Sequence, residues 1–267
     1  MVSKGVVYVA TGKQYIDEAS ISASSLKQKM PDLHVTLFSD QKVQASYFDE
    51  CVVIKSYGHG ILDKNIGMSQ SPYDYTVFLD TDTYICEDFS ELFTLLEKYD
   101  IGAILNETRT YTFAGDSWDY QKIKDTHQNW IYPMYNTGVI LFKKTPETTQ
   151  FFSDWLVSTK QWAEKHGKTS DQTTFQNLLY QSDLKKVTLP PEYNCRFVFP
   201  VGVCGTVKLL HGRHPNFPEL AQEINSELGP RLFMPRWGLI PDTKSKFVKK
   251  LLKRKFRSIM SNIRLNR

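Results

Sequence analysis

The sequence predicts an α/β protein with a mainly parallel central sheet flanked by helices. Short segments rich in β-branched and aromatic residues alternate with longer segments that contain few helix breakers. Strands that alternate with helices are typical of parallel sheets covered on both faces. Because such sheets bind ligands beyond the carboxyl ends of their strands, the residues directly after each strand are the first candidates for a functional site.

Four strands and one helix are predicted as far as Leu79. Gly5–Thr11 (GVVYVAT) is short, apolar and rich in β-branched residues, which indicates a buried strand. The following long segment has few helix breakers and predicts a helix. In chain order, the helix is Tyr15–Met30 and the three further strands are His34–Ser39, Cys51–Ile54 and Tyr75–Leu79.

The alternation continues through the rest of the chain. Three apolar runs predict strands, and three longer segments predict helices. In chain order these are Phe89–Tyr99 (helix), Ile101–Leu105 (strand), Gly138–Phe142 (strand), Glu147–Lys165 (helix), Ser170–Tyr180 (helix) and Lys186–Leu189 (strand). The sequence contains no internal repeat and no linker before Pro241, so we expect one domain over residues 1–242 and a tail over residues 243–267.

The composition is that of a globular protein with one large core. The chain has 267 residues and is 41% hydrophobic, which excludes a disordered or low-complexity protein. It has no apolar run near the roughly 20 residues that cross a bilayer. Its first residues lack a signal-peptide cleavage pattern, and its four cysteines form no CxxC pair. We therefore expect a cytoplasmic protein without disulfides or a zinc ribbon.

Basic charge is concentrated in the tail. Between Thr243 and Arg267 there are ten lysines or arginines and no acidic residue, whereas the preceding chain has 23 basic and 29 acidic residues. Apolar residues from Phe247 to Ile263 recur at helical spacing among the basic ones. This pattern predicts an amphipathic helix that holds the protein on the inner face of an anionic membrane. A helix docked on the body and a nucleic-acid-binding tail are the alternatives, and because the body is acidic we expect no nucleic-acid partner.

Two carboxylates directly follow the strand Tyr75–Leu79. Asp80 and Asp82 stand in the sequence DTDT, at a sheet edge of the kind that binds ligands. Carboxylate oxygens are ligands that Mg²⁺ and Mn²⁺ prefer, and such a metal can neutralise a phosphate leaving group. Two other interpretations remain open. The aspartates could form or cap a turn, or they could belong to a haloacid-dehalogenase-like phosphatase with Asp80 as nucleophile and Asp82 as general acid.

Four segments of the sequence occur in the order and at the spacing of a known family. They are VVYVATGKQY, SPYDYTVFLDTDT, MYNTGVILFKK and SDQTTFQNLLY, and they are extended by LPPEYNCRF and KLLHGRH. On these segments the chain resembles the GT-A (Rossmann-like) nucleotide-diphospho-sugar transferases, especially the family 8 glycosyltransferases such as glycogenin and the lipopolysaccharide galactosyltransferases. The resemblance covers about residues 5–215.

The resemblance implies a metal site. Mn²⁺, or Mg²⁺ in its place, would be held by Asp80, Asp82 and His211, since neutral imidazole is a good ligand for borderline metals. His214 is close enough in the sequence to be the alternative ligand. The family places Gly-Lys-Pro-Trp after its histidine, whereas this chain has GRHP, so Arg213 is the candidate to replace the phosphate-binding lysine.

The resemblance also implies a donor site. Asp171 is expected to bind sugar hydroxyls, and Gln172 is expected to lie near the anomeric carbon. The residues expected to bind the nucleotide sugar are Ala10, Thr11, Lys64, Asp80, Thr81, Asn136, Thr137, Gly138 and Arg213. Simple alternatives exist for several of them: packing for Ala10, an exposed surface position for Lys64, and a turn that precedes a strand for Asn136 to Gly138.

The activity implied is transfer of a sugar from a nucleotide diphosphate, UDP in particular, to a hydroxyl of a glycan or a lipid-linked acceptor. The resemblance implies retention of anomeric configuration by front-face attack, which needs no protein base. An inverting route would need a base from Asp116, Asp119 or Asp171. Trp118 and Trp130 are candidates to stack on acceptor sugars. A catalytically inactive protein that binds sugar nucleotides is the non-enzymatic alternative.

Overall fold

The computed structural model describes residues 2–58, 60–106, 132–167 and 169–241. The predicted tail helix therefore lies outside the described residues. The same holds for the candidate acceptor-site and base residues Trp118, Trp130, Asp116 and Asp119. Among the residues described, no helix combines the length and the apolar character that a membrane span requires.

The described residues form strands and helices in the following order along the chain. The strands are β1 (Lys4–Ala10), β2 (His34–Ser39), β3 (Glu50–Val53), β4 (Tyr75–Leu79), β5 (Thr83–Ile85), β6 (Ile101–Leu105), β7 (Tyr135–Lys143), β8 (Lys186–Leu189), β9 (Val201–Val203), β10 (Leu209–His211), β11 (Arg231–Met234) and β12 (Gly238–Pro241). The α-helices are α1 (Lys13–Lys29), α2 (Gly60–Ser69), α3 (Leu92–Leu95), α4 (Pro146–His166), α5 (Asp171–Gln181) and α6 (Phe217–Ile224).

Seven strands form the central sheet, in the order β3-β2-β1-β4-β7-β6-β8. Four neighbouring pairs in this sheet are parallel, and β7 runs antiparallel to both of its neighbours, β4 and β6. The prediction of a mainly parallel sheet flanked by helices is confirmed. The reversal of β7 places its first residues at the same sheet edge as the last residues of β4.

Alternate residues of β1 enter two cores on opposite faces of the sheet. Val6 and Tyr8 pack on the face covered by α1, and Val7 and Val9 pack on the other face with aromatic residues of α4 and α5. Each large apolar side chain that is fully buried stabilises the fold by about 1.5–3 kcal/mol. On the second face, the indole N–H of Trp155 also donates to the backbone carbonyl of Asp171 (3.0 Å), which ties the start of α5 to this core.

Two smaller sheets complete the described fold. β5 pairs antiparallel with β10, with Thr83 opposite His211, while β9, β11 and β12 form a three-stranded sheet over a third apolar core. Cys195 anchors β10 from the other side, because its carbonyl accepts the backbone N–H of His211 (2.9 Å). These pairings bring His211 beside the turn that follows β4.

The helix predicted at Phe89–Tyr99 is wrong for most of its length. Only Leu92–Leu95 is α-helical, and the segment winds mainly through bonds between residues three apart, such as Leu92 N to Phe89 O (3.0 Å). This winding buries Phe89 and Phe93. Burial of apolar side chains, and not helix propensity, therefore sets the backbone here.

Two further features differ from the sequence-based expectations. Asn136 and Thr137 lie within β7, not in a turn before the strand predicted from Gly138. Helix α2, which carries Lys64, was not predicted, because glycine lowers helix propensity and this ten-residue segment contains two glycines. At Gly67 a Cβ would overlap the side chain of Val9, so the glycine lets α2 lie close to β1.

A substitution of Asp49 tests the hydrogen bonds that stabilise the edge of the central sheet next to β3. Its Oδ2 accepts from Lys27 Nζ (2.6 Å) and from the backbone N–H of Val35 (2.8 Å). Burial alone would raise the pKa of Asp49, but these donors outweigh it and lower the pKa below 3.8. The stabilisation is therefore present above about pH 4 and is lost as the pH falls through the lowered pKa.

We expect Asp49→Asn to reduce the free energy of unfolding by about 1 kcal/mol at pH 7, because the group is partly exposed to solvent. The difference from the wild type should shrink as the pH falls from 5 to 3. Urea unfolding of both proteins across this range measures it. A difference that stays constant with pH would contradict this account of the Asp49 contacts.

Candidate functional site

A cleft of about 750 Å³ opens at the edge of the sheet where β1 and β4 end and β7 begins. Most of the predicted site residues line it: Thr11, Lys64, Asp80, Thr81, Asp82, Asn136, Thr137, Asp171, Gln172, His211 and Arg213. Ala10 is buried in the core, and Gly138 lies beside Asp80 and His211, since a Cβ at this position would overlap the His211 ring. The fold thus gathers residues from both ends of the described chain around one cleft.

Three side chains that could bind a metal converge in this cleft. Ligand atoms of Asp80, Asp82 and His211 all lie within 4.8 Å of one another. His211 Nε2 is 3.3 Å from Asp82 Oδ1 and 3.8 Å from Asp80 Oδ2. Carboxylate and imidazole donors suit divalent cations such as Mn²⁺, so this cluster is a possible metal site.

The alternative ligand, His214, lies in different surroundings. Its ring contacts the rings of Phe197 and Phe217, and its Nδ1 accepts the backbone N–H of Asn216 (3.1 Å). It is not among the residues that group with the two aspartates. Of the two histidines, the structure therefore places His211 at the candidate metal site.

Backbone hydrogen bonds hold the three candidate ligands in place. The backbone N–H of Asp80 donates to the carbonyl of Gly138 (2.7 Å), which joins the end of β4 to β7. The N–H of Gly212 donates to the carbonyl of Asp82 (2.8 Å), which joins the residue after His211 to the acidic turn. Gly212 has a φ of 129°, a conformation that glycine adopts without strain.

A buried lysine connects the acidic turn with α5. Lys64 is 6% exposed, and its Nζ lies 2.5 Å from Asp171 Oδ2, 3.0 Å from Thr137 Oγ1 and 3.7 Å from Asp80 Oδ1. The Thr137 hydroxyl donates to Asp171 Oδ2 (2.6 Å). Burial alone would lower the pKa of Lys64, but the aspartates outweigh it and raise the pKa. Burial likewise works against the charge of Asp171, yet Lys64 and Thr137 hold its pKa below the usual value, so both groups stay charged.

The two aspartates of the acidic turn differ in their electrostatics. Burial raises the pKa of Asp80, in spite of the nearby Lys64 and His211. At Asp82 burial is opposed mainly by the adjacent His211 and to a smaller extent by the charge of Arg213, and the pKa falls to about 2. Asp82 therefore keeps its negative charge at physiological pH, whereas Asp80 is the carboxylate whose charged form gains most from an added cation.

The rim of the cleft contains an ion pair that the sequence does not indicate. Arg213 donates from Nε and Nη2 to the two carboxylate oxygens of Glu18 (2.7 and 3.0 Å), and its Nη1 lies 3.9 Å from Asp82 Oδ2. The Thr81 hydroxyl also donates to Glu18 (3.1 Å). A single glutamate on a helix carries no sequence signal, so only the fold identifies Glu18 as part of the site.

Other residues of the cleft were also missed by sequence reasoning. Asp40 directly follows β2, so the rule that sites lie after strand ends would have found it. Its carboxylate accepts the backbone N–H of Gly12 (3.1 and 3.2 Å). Tyr15 and Ser56 also line the cleft.

The sequence matches the model of a known protein family, and the fold and cleft described above are consistent with this match. The family model for nucleotide-diphospho-sugar transferases matches residues 74–214, which is more than half of the chain. The chain therefore belongs to the nucleotide-diphospho-sugar transferase family.

Several solved glycosyltransferases share the fold. The glycosyltransferase GlyE of Streptococcus pneumoniae TIGR4 is 17% identical, with a TM-score of 0.51 over 73% of this chain and 48% of GlyE. Mouse xyloside xylosyltransferase 1 is 14% identical, with a TM-score of 0.52 over 79% of this chain and 98% of that protein. The galactosyltransferase LgtC, solved in complex with donor and acceptor sugar analogues, is 14% identical, with a TM-score of 0.50 over 79% and 87% of the two chains.

At sequence identities this low, the structural similarity shows a shared fold and no more. The prediction of a GT-A fold is confirmed. The chain spans 48% of the length of GlyE and 40% of the bifunctional glycosyltransferase WbbM, which it also resembles. No curated protein sequence matches the chain.

Gly138 offers a test of the candidate metal site, because it has no side chain where Asp80 and His211 approach it. A Cβ at this position would overlap the His211 ring and lie 2.9 Å from Asp80 Oδ2. We expect Gly138→Ala to displace both ligands, to weaken Mn²⁺ binding at least about tenfold and to cost about 1–3 kcal/mol of stability. Titration calorimetry with Mn²⁺ and thermal unfolding measure the two effects.

The matched control is Gly202→Ala, since a Cβ there would meet open space. It should leave Mn²⁺ affinity as in the wild type. Equal affinities in wild type and Gly138→Ala would show that the crowding at Gly138 does not govern metal binding.

Proposed function

We propose that the protein is a glycosyltransferase that moves a sugar from a nucleotide diphosphate, UDP in particular, to a hydroxyl of a glycan or a lipid-linked acceptor. The observation that carries this proposal is the convergence of Asp80, Asp82 and His211 in the cleft. The cleft has a volume of about 750 Å³, which lies in the range of small-molecule binding sites. Family membership supports a nucleotide-sugar donor, and the resemblance to family 8 supports UDP.

The residues present fit a divalent cation, Mn²⁺ or in its place Mg²⁺. Two carboxylates supply hard oxygen ligands, and His211 donates its Nδ1–H to Asn194 Oδ1 (2.8 Å), which leaves Nε2 facing the carboxylates. Asp80, Asp82 and His211 would hold the cation. When bound, it neutralises negative charge on the diphosphate leaving group.

Two cationic side chains of the chain border the same space. Lys64 lies behind Asp80 and stays charged in spite of burial, and Arg213 stands at the rim with its fork-shaped guanidinium. Both are complementary to the negative charge of a diphosphate, and Arg213 takes the place of the lysine in the family pattern. These two residues would position the phosphates before transfer.

The donor sugar would lie between β7 and the start of α5. Asp171 remains ionised and can accept hydrogen bonds from sugar hydroxyls, and Asn136 and Gln172 line the same part of the cleft. Trp155 holds the backbone of Asp171 from below, so the position of this carboxylate is fixed by the core. Fixed groups of this kind orient a substrate without reorganisation during reaction.

The charge state of Asp171 argues against one of the three candidate bases of an inverting route. An inverting enzyme needs a base whose pKa lies near the working pH. Although burial raises the pKa of Asp171, its contacts with Lys64 and Thr137 outweigh burial and keep the pKa below the usual value. Asp171 is therefore a weak base, and front-face attack assisted by the leaving phosphate requires no base from the chain.

The phosphatase interpretation is less well supported. As a general acid, Asp82 would need a raised pKa, but its pKa is about 2. A catalytically inactive sugar-nucleotide-binding protein would have no need for intact metal ligands, and all three are present.

The partner that we propose for the basic tail is an anionic membrane surface. Ten basic residues and a periodic apolar stripe in residues 243–267 support this, and the acidic body disfavours nucleic acid. Such a location, on the cytoplasmic face, would bring the cleft to a lipid-linked acceptor.

Binding of the donor tests the proposed function directly. We expect a UDP-sugar together with Mn²⁺ to raise the melting temperature, since a ligand at a hundredfold excess over its Kd stabilises the folded protein by about 2.7 kcal/mol. GDP- and ADP-sugars should give smaller shifts, and omission of Mn²⁺ should abolish most of the shift. Asp82→Asn should remove the Mn²⁺-dependent part.

The control for this experiment is Asp32→Asn, a change of equal charge at an exposed position. It should respond to donor as the wild type does. If no nucleotide sugar shifts the unfolding of the wild type, the donor site is refuted. Where a donor does bind, NMR of the anomeric centre of the product distinguishes retention from inversion.

Charge reversal in the tail tests the membrane proposal in the full chain. We expect Lys250→Glu, Lys253→Glu and Arg254→Glu together to reduce binding to vesicles that contain anionic lipid at least about a hundredfold, because each basic residue at the surface contributes about 1 kcal/mol. Cosedimentation measures the binding. The triple change Lys42→Glu, Lys98→Glu and Lys185→Glu, at exposed positions of the body, alters net charge equally and should have little effect. Equal loss in both variants would contradict a specific role for the tail.

A further inference from the structure

We infer that Asn194 is a positioning residue that holds His211 in one tautomer and Asn136 in one amide orientation. It does so within a buried series of hydrogen bonds that begins at the backbone of Gly138 and ends at the candidate metal site. The inference rests on the metal site of the proposed function and adds to it a residue that does not touch the metal.

The first link fixes the orientation of Asn136. The backbone N–H of Gly138 donates to Asn136 Oδ1 (3.0 Å). A backbone amide can only donate, so the atom that faces it must be the side-chain oxygen and not the nitrogen. The orientation of the Asn136 amide is therefore set by the main chain of β7.

The second link transfers this orientation to Asn194. Asn194 Nδ2 donates to the same Oδ1 of Asn136 (2.8 Å). Because Oδ1 of Asn136 is an acceptor, Asn194 must present its NH₂ group there, and its own oxygen then faces the opposite way. Asn194 is fully buried, so water offers its amide no alternative partner.

The third link sets the tautomer of His211. Asn194 Oδ1 lies 2.8 Å from His211 Nδ1, and an amide oxygen can only accept, so Nδ1 carries the hydrogen. In the neutral ring the lone pair is then on Nε2, the atom that faces Asp82 (3.3 Å) and Asp80 (3.8 Å). A lone pair beside two carboxylates is the arrangement that a divalent cation requires.

The same series limits what Asn136 can offer to a bound sugar. Its oxygen already accepts from Gly138 and from Asn194, so its NH₂ group is the part that remains for a ligand. Asn136 would therefore act as a hydrogen-bond donor to a sugar oxygen and not as an acceptor. A carboxylate at this position would keep the internal bonds and lose the donor.

Two variants separate these roles. Asn194→Leu removes both links at similar volume, and we expect it to weaken Mn²⁺ binding about 10–100-fold and to abolish the single Nδ1–H tautomer of His211. Asn136→Asp still accepts from Gly138 and Asn194, and we expect it to keep the tautomer and Mn²⁺ affinity within about threefold while sugar transfer is lost. If Asn194→Leu does not fold, Asn194→Asp serves instead: it keeps the acceptor for His211 but not the donor to Asn136, so it should retain the tautomer and lose transfer.

The readouts are long-range ¹H–¹⁵N spectra of the metal-free full-length protein and titration with Mn²⁺ alone. The His211 signals are assigned by their absence in His211→Gln. An Nε2–H tautomer in the wild type, or an unchanged tautomer and Mn²⁺ affinity in Asn194→Leu, would overturn the inference. An Nδ1–H tautomer in a wild type that binds no Mn²⁺ would leave the positioning role intact and refute the metal site instead.

Discussion

The candidate site depends on the reversed direction of one strand. If β7 were parallel to β4, its first residues would lie at the far edge of the sheet, away from the acidic turn. Because β7 is antiparallel, the carbonyl of Gly138 accepts the N–H of Asp80, and Asn136 and Thr137 line the cleft beside it. The pairing of β7 with β4 also positions two further sets of contacts. One is the series of hydrogen bonds that runs from Gly138 through Asn136 and Asn194 to His211, and the other is the hydrogen bond from Lys64 to Thr137.

Burying charged side chains in the cleft costs free energy of desolvation. Their presence there is therefore better explained by function than by stability of the fold. Lys64 and Asp171 form an ion pair with little exposure, and such pairs contribute little net stability compared with apolar residues of the same size. Removing one partner would leave an uncompensated charge beside the core that contains Trp155. The pair is therefore better explained by the candidate site that it lines than by a contribution to the stability of the fold.

The parts of the structure that local composition determines were predictable from sequence. β2, β4, β6 and β8 have the predicted bounds, because each is a short apolar run between clear breakers. The direction of β7 was not predictable, since composition is the same for either direction. Helix α2 was missed because its two glycines lower helix propensity, although one of them, Gly67, serves close packing against β1.

The site was predictable where a motif marks it, at Asp80, Asp82, Asp171 and His211, which the fold brings to one cleft. Glu18 and Asn194 were not assigned roles, because their partners are distant along the chain and become neighbours only through the fold.

The pairing of β5 with β10 also has a consequence for the order of events during synthesis. Thr83 and His211 are partners although about 130 residues separate them along the chain. A ribosome releases the acidic turn well before the histidine, so the nascent chain at first contains the two aspartates without the third candidate ligand. Closing a loop of this length also costs conformational entropy before the contact gives any gain. The candidate metal cluster is thus completed only after most of the central sheet has been synthesised.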